Sequence, residues 1–149
     1  MKREIKFRAW DKELGEWVLN TVRIVNTIGN FMYIDSVGKR EIIISQFTGL
    51  KDKNGKEIYE GDILKTIICK SFGRNDVWYF KIYLVEIEQD YNYGYRFNWK
   101  IINEEKILIK TKEDNKKFMD DFKRFGHGEI IIGNIYKNSE LLEEKKYER

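Results

Sequence analysis

The 149-residue sequence predicts a mainly β domain of the β-rich α+β kind: a small barrel with an N-terminal β-hairpin subdomain, one amphipathic helix and a short C-terminal helix. Three observations predict it. Proline is absent, about one residue in seven is isoleucine and 15% are aromatic, and branched and ring-bearing side chains suit a pleated, half-buried surface. Several stretches alternate polar and apolar residues with period two, the mark of a strand with one wet face. A single stretch carries helical spacing instead.

Residues 2–9 alternate, Lys2, Glu4, Lys6 and Arg8 against Arg3, Ile5, Phe7 and Ala9, so the first strand is expected to keep its Lys6 and Arg8 side in water. Trp10 to Trp17 reads as a hairpin loop with Gly15 at positive φ, and Trp17 to Val25 as the returning strand. Ile28-Gly29-Asn30 and Ser36-Val37-Gly38-Lys39 turn the chain around a strand from Phe31 to Ile34, and Arg40 to Phe47 follows as a strand. Asn54-Gly55 predicts a tight hairpin turn of type I′, in which both residues take the left-handed conformation. Gly61-Asp62 opens the first long barrel strand, continued by Leu64 to Lys70, with the Asp62 carboxylate able to accept from nearby backbone amides. Ser71 to Asp76 is a turn, Val77 to Glu88 a strand, and Asp90 to Asn92 a turn.

From Tyr91 to Ile101 the alternation is sharpest: Tyr91, Tyr93, Tyr95, Phe97, Trp99 and Ile101 face one way, Asn92, Gly94, Arg96, Asn98 and Lys100 the other. Asn103-Glu104-Glu105 reads as a turn into Lys106 to Lys110. The helix is expected over Lys112 to Phe125, where Phe118, Met119, Phe122 and Phe125 recur at helical spacing. Thr111 and Asp114 have capping-box spacing, Glu113 and Asp114 suit its start, Lys123 and Arg124 its end, and Gly126 terminates it. It is expected to cover an open end of the barrel. A strand from Glu129 to Tyr136 and a short helix from Glu140 to Lys146 complete the chain. No repeat or linker divides it, so residues 1–149 read as one domain, with 1–45 an N-terminal β part and 46–149 the barrel and helix.

Hydrophobic residues at 42% beneath 36% charged ones provide a core and a solvated surface, which excludes disorder of the whole chain. Apolar runs such as Ile42 to Ile44 fall far short of the roughly 20 residues of a membrane span, and the amino end lacks an export signal. A cytoplasmic protein without membrane contact is expected. Cys69 is the single cysteine and His127 the single histidine, so neither a disulfide nor a usual zinc ligand set is available. Asp52, Asn54 and Gly55 superficially resemble a calcium loop, but its sixth and twelfth positions hold Glu57 and Ile63. No metal and no cofactor is expected. The net charge of +3 favours an anionic partner only weakly.

Phosphate-loop, dinucleotide and nucleophile-elbow motifs are all missing. His127 sits between two glycines without an orienting partner, and Asp120-Asp121 and Glu104-Glu105 are sequence neighbours that point apart. No enzymatic activity is expected. Two surfaces remain. Arg8, Asp11, Lys51, Asp52, Lys53 and Glu60 are expected as an exposed recognition patch around the central hairpin, because loops on a rigid scaffold are where recognition sits. Tyr93, Tyr95 and Trp99 with Arg96 and Lys100 form the alternative, a face for stacking bases and tracking phosphates. Filling the barrel interior is the simpler use of those rings.

Three blocks carry a resemblance to a known family: Ile5-Lys6-Phe7-Arg8-Ala9-Trp10-Asp11, the long run from Gln46 through Thr48-Gly49-Leu50-Lys51-Asp52-Lys53-Asn54-Gly55 to Tyr59-Glu60-Gly61-Asp62-Ile63, and Ile132-Gly133-Asn134-Ile135-Tyr136 through Leu142. Together they resemble the YopX family of small phage and prophage proteins. Ser139 departs from a proline the family often has before the final Glu-Leu-Leu, which loosens the expectation of a tail helix. The resemblance implies an SH3-like barrel core and a place in the cytoplasm of an infected cell. It implies no reaction and no catalytic residue. The expectation is therefore a non-enzymatic module that binds a phage or host protein; the alternative is a weak single-stranded nucleic-acid binder, and self-association through a sheet edge is compatible with either.

Overall fold

Segments of period two become ten strands among the described residues, arranged in two antiparallel sheets. The structure is a computed structural model and describes residues 6–18, 24–27, 30–35, 38–90, 92 and 94–142. The first sheet contains β1 (Phe7–Asp11), β2 (Glu16–Trp17), β3 (Ile24–Thr27), β4 (Asn30–Asp35), β5 (Gly38–Lys51) and β6 (Glu57–Tyr59), in the order β2-β1-β5-β4-β3 with β6 also on β5. The second contains β7 (Asp62–Phe72), β8 (Asn75–Asp90), β9 (Gly94–Lys106) and β10 (Ile130–Asn134), in the order β10-β7-β8-β9. Helix α1 (Lys112–Phe125) precedes β10, and a 3-10 turn, Ser139–Leu142, follows it. The mainly β expectation holds. The first sheet branches at β5, whereas the second is linear and ends on β10 and β9.

Strand β5 joins the parts. Its first half pairs β4 and β1, and its last residues pair β6, with Phe47 opposite Tyr59 and Lys51 opposite Glu57. A division after residue 45 falls inside this strand. The sheets are stitched by Glu60 N donating to Gln46 O at 2.9 Å, Gly61 N to Val85 O at 2.7 Å and Ile135 N to Gly61 O at 2.9 Å.

Strand β9 runs on where a turn was expected. Asn103, Glu104 and Glu105 lie opposite Ile82, Lys81 and Phe80, and the chain absorbs one extra residue, Ile102, in a bulge. Charge explains the continuation: Glu104 pairs with Lys70 and lies 3.6 Å from Lys81 across the sheet. Residues 107–110 leave the strand after Ile107 N donates to Trp78 O at 2.8 Å.

The core divides by element. Ile58, Leu64 and Val85 are buried with Tyr83, Phe97, Trp99 and Ile131 packed on them, which places the central hairpin on the face of β8 and β9. Ile67, Phe125 and Ile130 form a second cluster beneath Trp78, Phe118 and Phe122. Ala9 and Ile42 form a third between β1 and β5. Arg8 and Phe7 exchange the expected faces: Phe7 is 58% exposed, whereas the Arg8 side chain is only 20% exposed. The expected strand at residues 2–5, the stretch 19–23, the turn tips 28–29 and 36–37, Tyr91, Tyr93 and the tail from 143 lie outside the described residues.

Helix α1 has the bounds its spacing predicts, and packs Phe118, Phe122 and Phe125 on the second sheet while Met119 stays exposed. Among the described residues no helix is long and apolar enough to cross a membrane. The capping box is complete: Thr111 Oγ1 accepts from Asp114 N, and Asp114 Oδ2 accepts from Thr111 N and Lys110 N at 3.1 and 3.0 Å. Gly126 ends the helix without a positive φ; a Cβ there would collide with Phe122 O.

The two backbone donors hold the Asp114 carboxyl below its ordinary value of 3.8. The folded carboxyl therefore binds protons less readily than the unfolded one. Its contribution is present above that ordinary value and is lost as pH falls through the depressed one. We expect acid to loosen α1 first, seen as faster amide exchange across residues 112–118 than in the β7–β8 ladder. Equal acid sensitivity in an Asp114→Ala variant would contradict this.

Candidate functional site

A buried ion pair is built by β1 and the start of β7. Gly61, at φ +85°, turns the chain so that Asp62 begins β7 with its side chain buried. Arg8 Nη2 donates to Asp62 Oδ1 at 2.5 Å and Tyr59 N donates to Oδ2 at 2.9 Å. Burial lifts the Asp62 carboxyl above its ordinary range, against the opposing pull of Arg8 and the Tyr59 amide. The guanidinium lies over two rings, 3.9 Å from the Trp17 centroid and 4.6 Å from that of Tyr59. Trp17 in turn meets Trp10 edge-on at 5.0 Å, and Tyr136 stacks on Trp10 at 5.6 Å. The cation is thus held from three sides by rigid groups.

A cleft of about 360 Å³ opens beside this pair. Arg8, Trp17 and Asp62 form one wall, Ile131 to Asn134 another, and Lys56, Lys137 and Asn138 the rim. The β10 wall is shaped by its own side chains. Asn134 Oδ1 accepts from Tyr136 N and Lys137 N at 3.0 and 2.9 Å, and Asn138 Oδ1 accepts from Asn134 N at 3.2 Å. Gly133 is needed there because a Cβ would collide with Asn138 Oδ1. The three sequence blocks, more than a hundred residues apart at their extremes, all reach this cleft: the first with Arg8, the second with Lys56 and Asp62, the third with Gly133 to Asn138.

The central hairpin closes on Asp52, not on a type I′ turn. Only Gly55 has positive φ (+83°), and Gly55 N donates to Asp52 O at 2.9 Å. Asp52 Oδ1 accepts from Asn54 N and Lys56 N, both at 2.9 Å, and Oδ2 reaches across to Ile131 N at 3.1 Å. A single carboxylate therefore fixes the turn and fastens it to β10. With the side chain supplying acceptors, Asn54 has no need of the left-handed conformation.

The recognition patch expected from the sequence is broken up by these roles. Asp11 and Asp52 are buried, which corrects their placement on an exposed patch. Asp11 Oδ1 accepts from Glu13 N and Leu14 N at 2.9 and 3.0 Å and shapes the β1–β2 turn. Lys53 is exposed but engaged: its Nζ donates to Lys123 O and Gly126 O at 2.7 and 2.8 Å, capping the negative end of α1. Burial lifts the half-buried Glu60 carboxyl above its ordinary value. Lys51 is exposed at the end of β5, and Arg8 is the member that lines the cleft. Sequence reasoning passed over Trp17, Lys56, Asn134, Lys137 and Asn138. Four of those five lie inside the quoted blocks, and that was the available signal.

The alternative nucleic-acid face does not assemble as one surface. Trp99 packs on the Ile58–Leu64–Val85 cluster, Tyr95 is 76% exposed at the end of β9, and Tyr93 lies outside the described residues. Arg96 and Lys100 alternate with the rings and so project from the other face, and Arg96 Nη2 is bound to Glu88 at 2.6 Å. His127 is exposed at φ +62° with its ring edge-on to Phe122 at 4.9 Å.

A family model described as YopX protein matches residues 6–143. Among solved structures the chain is similar to the crystal structure of protein EF1440 from Enterococcus faecalis, with 27% identity over 95% of this chain and 100% of that chain and a TM-score of 0.48. No curated protein matches the chain.

Proposed function

The chain belongs to the YopX family, and we propose that it is a non-enzymatic protein-binding module, an accessory protein of a phage or prophage working in the cytoplasm. The single observation that carries this reading is the convergence of three distant blocks on one cleft beside a buried ion pair. The polar groups there are committed to each other or to backbone amides, Asp62 to Arg8 and Tyr59, Asn134 to Tyr136 and Lys137. Such groups hold a surface in shape; they are not poised to move protons. We read the second sheet with the central hairpin laid on it as the SH3-like part of the fold.

Site-specific photo-crosslinking tests this. A photoreactive residue in place of Lys56 or Lys137, in cells that naturally express the chain, is expected to yield one discrete protein adduct. The same group in place of Lys100, on β9 and outside the cleft lining, is expected to yield none. Identical adducts from all three positions would remove the cleft from the recognition surface.

A further inference from the structure

We propose that the cleft is an oxyanion site, and that its ligand is a side-chain carboxylate from an acidic segment of a partner protein. The inference rests on the reading of this cleft as the recognition site and adds its chemistry. Three cations, Arg8, Lys56 and Lys137, line the cleft against one carboxylate, Asp62. That carboxylate is spent on Arg8, so a surplus of positive charge faces the opening.

The two lysines differ from Lys6 and Lys12. Lys6 and Lys12 have carboxylate partners at 2.6 and 2.8 Å, in Glu57 and Glu41. Among the described residues neither Lys56 nor Lys137 is in an ion pair; Lys137 Nζ rests 5.7 Å from the Trp10 ring centroid. Their main chains are already anchored, Lys56 N on Asp52 and Lys137 N on Asn134, so little backbone freedom remains to be lost on binding. Arg8 is equally fixed by its stacked rings, and its buried Nε has no partner.

Size and wall chemistry choose the source of the anion. About 360 Å³ accepts a side chain or two, not a folded element. Trp17 on one wall and Ile131 and Ile132 on the other add apolar surface to the polar cleft, which suits the methylene stem of a glutamate better than a free inorganic ion.

The test is calorimetric titration of the full chain with a blocked hexaglutamate peptide, a blocked hexalysine peptide and inorganic phosphate, each at low and at physiological salt. Hexaglutamate is expected to bind and hexalysine not. Binding should weaken on adding salt, and by about tenfold or more in the Lys56→Glu, Lys137→Glu double variant. Both lysines are exposed, so the variant should melt like the parent; a Lys100→Glu, Lys110→Glu variant should bind like it too. Undiminished binding in the cleft variant, or no binding of the acidic peptide, overturns the proposal. Phosphate binding without peptide binding overturns it as well, since the anion then comes from a small molecule. Should adducts still form from positions 56 and 137 without any anion binding, the chemistry assigned here is wrong while the recognition site stands.

Discussion

Replacing Asp62 with alanine is expected to lower the unfolding free energy by about 3–5 kcal/mol, the usual cost of leaving a buried charge without its partner. Arg8 would keep its place between Trp17 and Tyr59 with no counter-charge, and Tyr59 N would lose its acceptor. Arg8→Ala should cost a similar amount, by stranding Asp62 and removing the contact with both rings. The size of these losses is no measure of what the pair adds. Burial raises the Asp62 carboxyl despite the guanidinium beside it, so desolvation outweighs the attraction. A group whose folded pKa is raised contributes stability below its unfolded value and loses that contribution as pH rises through the folded one. The advantage of Asp62 over Asn at this position should accordingly shrink from acid toward neutral pH. A double variant, Arg8→Met with Asp62→Leu, should cost much less than the two alanine changes together. Urea denaturation of the parent, the two alanine variants and the Arg8→Met, Asp62→Leu variant checks this. Additive losses would mean that the two residues act independently.

The same pair shows where the sequence stops being legible. Period two places Arg8 with Lys2, Glu4 and Lys6, and charged side chains default to water. Nothing local announces that Trp17 and Tyr59, one across a hairpin and one in another block, supply faces on which a guanidinium lies. Helix α1 was readable to the residue because its signals are local: a capping box at one end, a ring every three or four positions, a glycine at the other. The strands were readable as strands but their partners were not, and of the expected inward face of β9 Phe97 and Trp99 pack on the core while Tyr95 and Ile101 are exposed. Asn103-Glu104-Glu105 has the composition of a turn, and only the cross-strand lysines, Lys70 and Lys81, make it a strand. At Asn54-Gly55 the turn's place was legible and its type was not, since the acceptor that decides it sits two residues earlier.

That acceptor carries the second large expected effect. Asp52→Ala removes three charge-assisted hydrogen bonds, to Asn54 N, Lys56 N and Ile131 N, from a residue that is buried. Two of the freed amides lie in a surface turn where water can replace the carboxylate, while Ile131 N lies on the edge of β10 that faces the hairpin. The net loss is expected at about 3 kcal/mol. Asp52→Asn, which keeps one carbonyl oxygen, should lose about half of that. Gly55→Ala provides the control: its Cβ meets open space, so only the left-handed backbone is strained, at roughly 1–2 kcal/mol. If the carboxylate organises this region, Asp52→Ala should exceed Gly55→Ala in denaturation, and amide exchange should quicken at Ile131 as well as in the turn. Losses confined to residues 53–56 would show that the hairpin and β10 are held together by packing of Ile58 and Ile131 instead. Because Asp52 holds both Lys56 N and Ile131 N, and both residues line the cleft, the Asp52 variants should also weaken acidic-peptide binding without removing any group that touches the ligand.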